Sequence, residues 1–172
     1  IDLQGETTGK FKEKKYWSSI DLATISFGQG IAVTPIQMVQ IVNVIANQGK
    51  LIPPRVVQGI QETKQIIKPE TAKQITEMMV NAVEQGEAKW TKIPGASIAG
   101  KTGTAQIPIQ GHYDPEKTIA SFVGFAPALK PQFTMLVILY EPTTSPWASE
   151  TAAPLWFDIA KDIFLLKSIN PK

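Results

Sequence analysis

The chain has 172 residues, 43% of them hydrophobic, which is enough for one sizeable core and fits one domain or a large part of one. Its 17 basic and 15 acidic residues are dispersed, and the single basic cluster, Lys10 to Lys15, reads as a solvated loop, so nothing supports nucleic-acid binding. The absence of cysteine excludes disulfides, a thiolate nucleophile and a Cys-based zinc site, and the one histidine, His112, has no second histidine with which to share a metal.

Residues 1–20 are polar, carry Gly5 and Gly9, and read as loop. The chain opens on Ile1 with neither an initiator methionine nor a signal peptide, as a processed product or an excised piece would. Thr34-Pro35 predicts a helix start, with Thr34 as N-cap and proline at the first helical position. Ile36, Val39, Val42, Ile45 and Ala46 then recur at helical spacing until Gly49. Residues 50–60, with Pro53-Pro54 and Val56-Val57, read as an extended connector or short strand. Pro69 opens a second helix with Ala72, Ile75, Met78, Met79, Ala82 and Val83 as its apolar face, the methionines as core filler, and Gly86 as its stop. Residues 97–107, 118–126 and 132–140 are strand-like, the last two joined by a turn across Pro127 to Pro131. Residues 152–167 predict an amphipathic helix that presents Leu155, Ile159, Ile163 and Leu166. No apolar run approaches ~18 residues, so no membrane span is present. Strands followed by a terminal helix predict an α+β layout with antiparallel strands and flanking helices: a helical segment over about 1–92, then sheet and helix over about 93–168.

Gly100-Lys101-Thr102-Gly103-Thr104 is the segment on which function turns, and it admits two readings. Gly95 to Thr102 satisfies the P-loop pattern G-x-x-x-x-G-K-[ST] in full. That motif needs a buried strand before it and a helix after it, whose first amides hold phosphate. Lys92-Ile93-Pro94 supplies no such strand, and Gly103 with Pro108 makes a poor helix start, so the nucleotide reading is the weaker one. Lys101-Thr102-Gly103 is also the third signature element of serine acyl-transfer enzymes that carry Ser-x-x-Lys and Ser-x-Asn. Alone it is three residues in a strand with two glycines, and a close backbone approach would explain those glycines equally well.

Flanking blocks decide between the two. Leu3 to Glu6, Ala23 to Gly30, Val33 to Met38, Ile45 to Gly49, Gly100 to Gln106 and Ser121 to Pro127, with a weaker Ala152 to Pro154, occur in one order along residues 1–165. In these blocks the chain closely resembles the C-terminal part of the transpeptidase domain of class B penicillin-binding proteins. The resemblance implies part of a serine β-lactamase/transpeptidase-like fold with the N-terminal part of the domain missing. Ser-x-x-Lys occurs nowhere in the chain, and Ser168-Ile169-Asn170 fits Ser-x-Asn only at the tail, on the wrong side of Lys-Thr-Gly. The sequence is therefore expected to begin just beyond the second motif, and to be inactive alone.

The implied reaction is peptidoglycan crosslinking by serine acyl transfer on stem peptides ending in D-Ala-D-Ala, with β-lactams as stalled substrate mimics and no cofactor. The implied partners are an upstream segment carrying the serine and a membrane glycan polymerase. The implied place is the extracytoplasmic face of a membrane, with the parent anchored by an N-terminal helix. The Ser26 to Gln37 stretch leans toward division over elongation. Thr102 and Thr104 share strand parity and can offer both hydroxyls to a substrate carboxylate, while Lys101, on the other face, must reach round an exposed sheet edge. Gly103, lacking a side chain, lets the serine-bearing helix and the substrate come close. By resemblance, Lys101 contacts the Ser-x-Asn serine and supports proton transfer. The Thr104 amide supplies half of an oxyanion hole, worth roughly 3 kcal/mol in comparable enzymes. Gln106, His112 and Tyr113 are weaker candidates for the groove, and Phe122, Trp147 and Trp156 read as core or groove wall. Glu141 and Glu150 are poor deacylation bases, which disfavours a penicillin hydrolase; a non-catalytic remnant is the other alternative.

Overall fold

The first half of the chain is mainly helical, and long strands with a closing helix occupy the second, as the sequence pattern predicts. The computed structural model describes residues 4–28, 30–59, 62–109 and 112–170, with backbone alone for 108, 109 and 112–116. In chain order the elements are β1 (Lys10–Phe11), a 3-10 turn at Lys14–Tyr16, α1 (Asp21–Ile25), β2 (Ile31–Ala32), α2 (Pro35–Ala46), β3 (Lys50–Leu51) and β4 (Lys64–Gln65). There follow α3 (Pro69–Gln85), a 3-10 turn at Lys89–Thr91, β5 (Ala99–Ile109), β6 (His112–Ala126), β7 (Phe133–Tyr140) and α4 (Ala152–Leu166). Among the described residues, β5, β6 and β7 form an antiparallel sheet in that order, while β1 pairs with β2 and β3 with β4 as two-residue ribbons. The fold is mixed α+β.

Local chemistry accounts for the helix ends. Thr34 caps α2 through a full capping box: the Gln37 amide donates to Thr34 Oγ1 at 3.3 Å and the Thr34 amide donates to Gln37 Oε1 at 3.0 Å. Pro35 takes the first helical position, where its missing N–H costs nothing. The chain leaves α2 through Gly49, whose φ of +85° and close approach to the Ile67 carbonyl leave no room for a Cβ. Helix α3 starts at Pro69 and ends at Gly86 as predicted, burying Ala72 and Val83. Met78 is 69% exposed, so it is not the core filler that its spacing suggested.

The sheet is sandwiched between two helical layers, and strand alternation sorts its side chains between them. On one face Ala120, Phe122, Ala126 and Val137 pack against Trp156, Phe157, Ala160 and Phe164 of α4. On the other face Ala99 and Phe125 pack with Val42 of α2, and Met38, Ile45 and Met79 close the cluster. Thr134 Oγ1 on β7 donates to Asn43 Oδ1 on α2 at 3.1 Å, which fixes the second layer to the sheet.

Helix α4 begins where predicted but turns the other face inward. Leu155 and Leu166 are 42% and 85% exposed, and Ile159 also lies outside the core. Its buried face is Ala152, Ala153, Trp156, Phe157, Ala160 and Phe164. Both faces are apolar, so spacing alone could not choose between them. The alanines let the helix approach the sheet, and the aromatic rings then fill the gap that remains.

Close approach also explains Gly100. A Cβ built there would lie 2.4 Å from Cζ of Phe122, whose ring is held by Trp156 at 5.2 Å and Phe157 at 5.5 Å between centroids. Gly100→Ala is therefore expected to destabilise the chain by about 1–3 kcal/mol, read as a lower urea midpoint at unchanged slope.

Candidate active site

The sheet order leaves one long side of β5 without a strand partner among the described residues. Lys101, Thr102, Gly103, Thr104 and Gln106 all lie on this edge strand, opposite Val123, Phe122, Ser121, Ala120 and Thr118 of β6. The chain passes from Ile98 directly into β5 and then into β6. Lys101 and Thr102 thus sit inside a strand with no helix following. The literal P-loop match at Gly95–Thr102 has no phosphate cradle, which removes the nucleotide reading.

Lys101 lies on the α2–α3 face by strand parity, and its long stem folds back to the strand. Its Nζ donates to the Thr102 carbonyl at 3.1 Å and to Thr102 Oγ1 at 3.2 Å. The next carbonyl, of Gly103, accepts instead from Ser121 Oγ of β6 at 3.1 Å. Carbonyl directions alternate along a strand, so Gly103 addresses β6 while Thr102 addresses the free edge. Thr104, two residues on, sends its amide N–H to that same free edge. A cationic ammonium, a threonine hydroxyl and an outward-facing backbone amide are thereby gathered along about three residues of one strand. That combination suits a ligand with a carboxylate at one end and a polarised carbonyl further along.

Gly103 would place a Cβ 2.8 Å from Ser121 Oγ. The glycine thus keeps the sheet face clear beside Lys101. That face opens into a cavity of about 750 Å³ between the sheet and the helices α2 and α3, lined in part by Ser26, Met38, Ile41, Met78, Lys101 and Gly103. Ile41 is 52% exposed there, as Met78 is exposed on its own helix. These apolar side chains border the site although sequence reasoning placed Met78 in the core and gave Ile41 no role. Only their exposure beside Lys101 reveals them, and exposure depends on the packing of three separate elements.

The weaker candidates separate as follows. Gln106 is exposed and sits opposite Thr118. His112 and Tyr113 lie on the β6 backbone opposite Ile109 and Pro108, and their side chains fall outside the described residues. Phe122 and Trp156 are core residues, whereas Trp147 is 57% exposed on the loop before α4. Glu141 pairs with Lys117 at 3.3 Å on the surface. Ala148, absent from the sequence-based candidates, donates its amide to Thr104 Oγ1 at 3.1 Å from the same loop.

Helix α1, which sequence reasoning missed, leads into Ser26 at the cavity and is tied to the preceding loop by one carboxylate. Asp21 accepts from Ser18 Oγ at 2.6 Å, from Lys12 Nζ at 2.9 Å and from the Ser18 amide. The Ser18 hydroxyl foremost, then Lys12, hold its pKa down at about 2, from an ordinary 3.8. A depressed carboxyl stabilises the fold above its unfolded pKa and loses that contribution as pH falls through the folded one. The 12–25 segment should therefore be insensitive to pH near neutrality and loosen between about 3.8 and about 2. Amide exchange of residues 18–25 across that range checks this, and Asp21→Asn should abolish the transition.

Known proteins resemble the chain over nearly its whole length. Residues 1–165 match the family described as the penicillin binding protein transpeptidase domain. The chain is 34% identical to stage V sporulation protein D of Bacillus subtilis, over all of this chain and 29% of that protein. It is 32% identical to the peptidoglycan D,D-transpeptidase FtsI of Buchnera aphidicola, over 99% of this chain and 31% of that protein. Among solved structures, the transpeptidase domain of penicillin-binding protein 3 from Burkholderia pseudomallei superposes with a TM-score of 0.89 at 29% identity, covering all of this chain and 54% of that one. Penicillin-binding protein 3 of Mycobacterium tuberculosis, in complex with aztreonam, gives 0.90 at 26% identity, with 44% of that chain covered. The chain thus spans about a third of these curated relatives and about half of these solved structures. On the match across residues 1–165, this chain belongs to the penicillin-binding protein transpeptidase family, and its relatives are class B members.

Proposed function

We propose that this chain is the substrate-holding half of a serine D,D-transpeptidase that crosslinks peptidoglycan, its nucleophile supplied by an upstream segment carrying Ser-x-x-Lys. The observation that carries the proposal is the free edge of β5, where Lys101 Nζ, the Thr102 hydroxyl and the outward Thr104 amide converge. A stem peptide ending in D-Ala-D-Ala, or a β-lactam, lies along this edge with its carboxylate toward Lys101, Thr102 and Thr104. The serine oxygen gives up its proton to the upstream lysine and attacks the penultimate D-Ala carbonyl carbon, and negative charge develops on the carbonyl oxygen against the Thr104 amide. The C–N bond then breaks, and terminal D-Ala leaves with a proton. An amine of a neighbouring stem peptide attacks the acyl ester, and the serine regains its proton as the crosslink forms.

In this reading Lys101 is catalytic through the positive charge that it holds beside the reacting serine and the carboxylate, and through support of proton transfer at the Ser-x-Asn serine. Thr102, Gly103 and Gln106 bind substrate. The apolar cavity beside Gly103 receives the helix that bears the nucleophile, and Met38, Ile41 and Met78 form its seat. Among the described residues no helix is long and apolar enough to cross a membrane. The proposed site of action is the extracytoplasmic membrane face, with anchoring by a helix outside this sequence and a glycan polymerase as companion.

Fluorescent penicillin tests the proposal. The chain alone should take no covalent label, and the chain joined to its upstream segment should label on that segment's serine. Labelling of this chain by itself would sink the idea, and so would failure of the complete domain to label, which is what a non-catalytic remnant predicts.

A further inference from the structure

Thr104 carries two partners to the edge of β5, its own amide and its hydroxyl, and the hydroxyl is held by a distant turn. Thr104 Oγ1 accepts from the Ala148 amide across 44 residues of sequence. A threonine hydroxyl has one proton to give and two lone pairs. With an amide on one lone pair, the proton turns away from Ala148 and stays available. Thr102 stands in the same condition, since Lys101 Nζ occupies its oxygen.

The turn that supplies this amide is firmly pinned. Thr118, 3% exposed on β6, donates its Oγ1 to the Pro146 carbonyl at 2.7 Å. Thr151 Oγ1 donates to the Trp147 carbonyl at 2.7 Å, and the Ala153 amide donates to the Ala148 carbonyl at 2.8 Å, joining the turn to the start of α4. Ala148 and Ala153 are fully buried, so solvent has little access to compete for the Ala148 N–H.

We propose that the 145–151 turn is a positioning device for Thr104, its Ala148 amide orienting the hydroxyl as a hydrogen-bond donor toward a ligand carboxylate at the β5 edge. The inference rests on the acyl-transfer reading above and deepens it. Thr118 is then a positioning residue: it touches no ligand and acts by fixing Pro146, and through it the Ala148 amide.

The test uses the complete parent protein and two probes, a penicillin and its methyl ester, which lacks the carboxylate charge. Thr118→Val should slow acylation by the penicillin roughly tenfold and leave the ester within about twofold. Thr118→Ser should restore the rate. Equal slowing of both probes, or no slowing of the penicillin, overturns the inference. A wild-type protein that reacts with neither probe overturns the acyl-transfer reading instead. The hydrogen bond is then decided independently: Thr104→Val should speed exchange of the Ala148 amide at least tenfold, with Thr104→Ser unchanged, and unaltered exchange in Thr104→Val overturns the inference.

Discussion

Lys101→Ala, made in the complete domain, is expected to reduce penicillin acylation by roughly 10²–10³-fold while leaving the folded structure intact. The side chain is exposed, and its two hydrogen bonds both go to the adjacent Thr102, so no core contact is lost with it. What is lost is the positive charge on the free edge of β5. A carboxylate approaching this edge then meets two hydroxyls and no cation, and a serine oxygen shedding its proton loses its electrostatic support. Arginine at 101 keeps the charge but spreads it over a planar fork too large to fold back onto Thr102, so Lys101→Arg should recover only a minor part of the rate. Stopped-flow acylation together with a thermal melt separates the outcomes. A rate loss that tracks a fall in Tm would mean that Lys101 is structural; an unchanged rate would remove it from the chemistry.

Trp156→Ala should have the largest effect on stability, a loss of about 3–5 kcal/mol. Its ring is fully buried and packs on Phe122, Phe157 and Phe133, and its Nε1 donates to the Met135 carbonyl at 2.9 Å. Truncation opens a cavity where α4 meets the sheet, larger than the neighbouring Met135 can fill. Trp156→Phe keeps most of the aromatic packing and forfeits the indole N–H, so it should cost nearer to 1–2 kcal/mol. Equilibrium urea unfolding of the two variants reads both terms. Near-equal losses would mean that the hydrogen bond outweighs the packing, contrary to the geometry.

The parts of the fold that the sequence made legible are those written in consecutive residues. Thr34-Pro35 marks the start of α2 because cap and proline act within one turn, and Pro69 and Gly86 bracket α3 for the same reason. The strand character of β5 follows from β-branched and small residues between Pro94-Gly95 and Pro108, and it was enough to weigh a P-loop against a Lys-Thr-Gly strand. Residues 50–60 were legible as a connector or short strand, but the pairings β1–β2 and β3–β4 were not, because two-residue ribbons are set by chain return, with no local period to betray them. The inward face of α4 escaped for a different reason. Leu155 and Ile159 make as good an apolar stripe as Trp156 and Ala160, and only the space above Phe122 chooses between them. Thr102 and Thr104 were legible as residues of one parity, yet their oxygen partners were not. One is the neighbouring lysine, and the other is an amide contributed from beyond β7.

The contact between Gly100 and Phe122 has a consequence for how recognition at this edge could change over generations. A ligand lying along β5 as proposed meets main-chain groups as well as side chains, and no substitution on the strand short of proline removes a peptide N–H. Selectivity can still drift if the strand itself shifts by a fraction of an ångström, and its height above the sheet is set from behind, where the Phe122 ring fills the space that Gly100 leaves open. Variation in the aromatic layer beneath β5, out of reach of any ligand, is thus a route by which one lineage could tell apart ligands that another accepts alike.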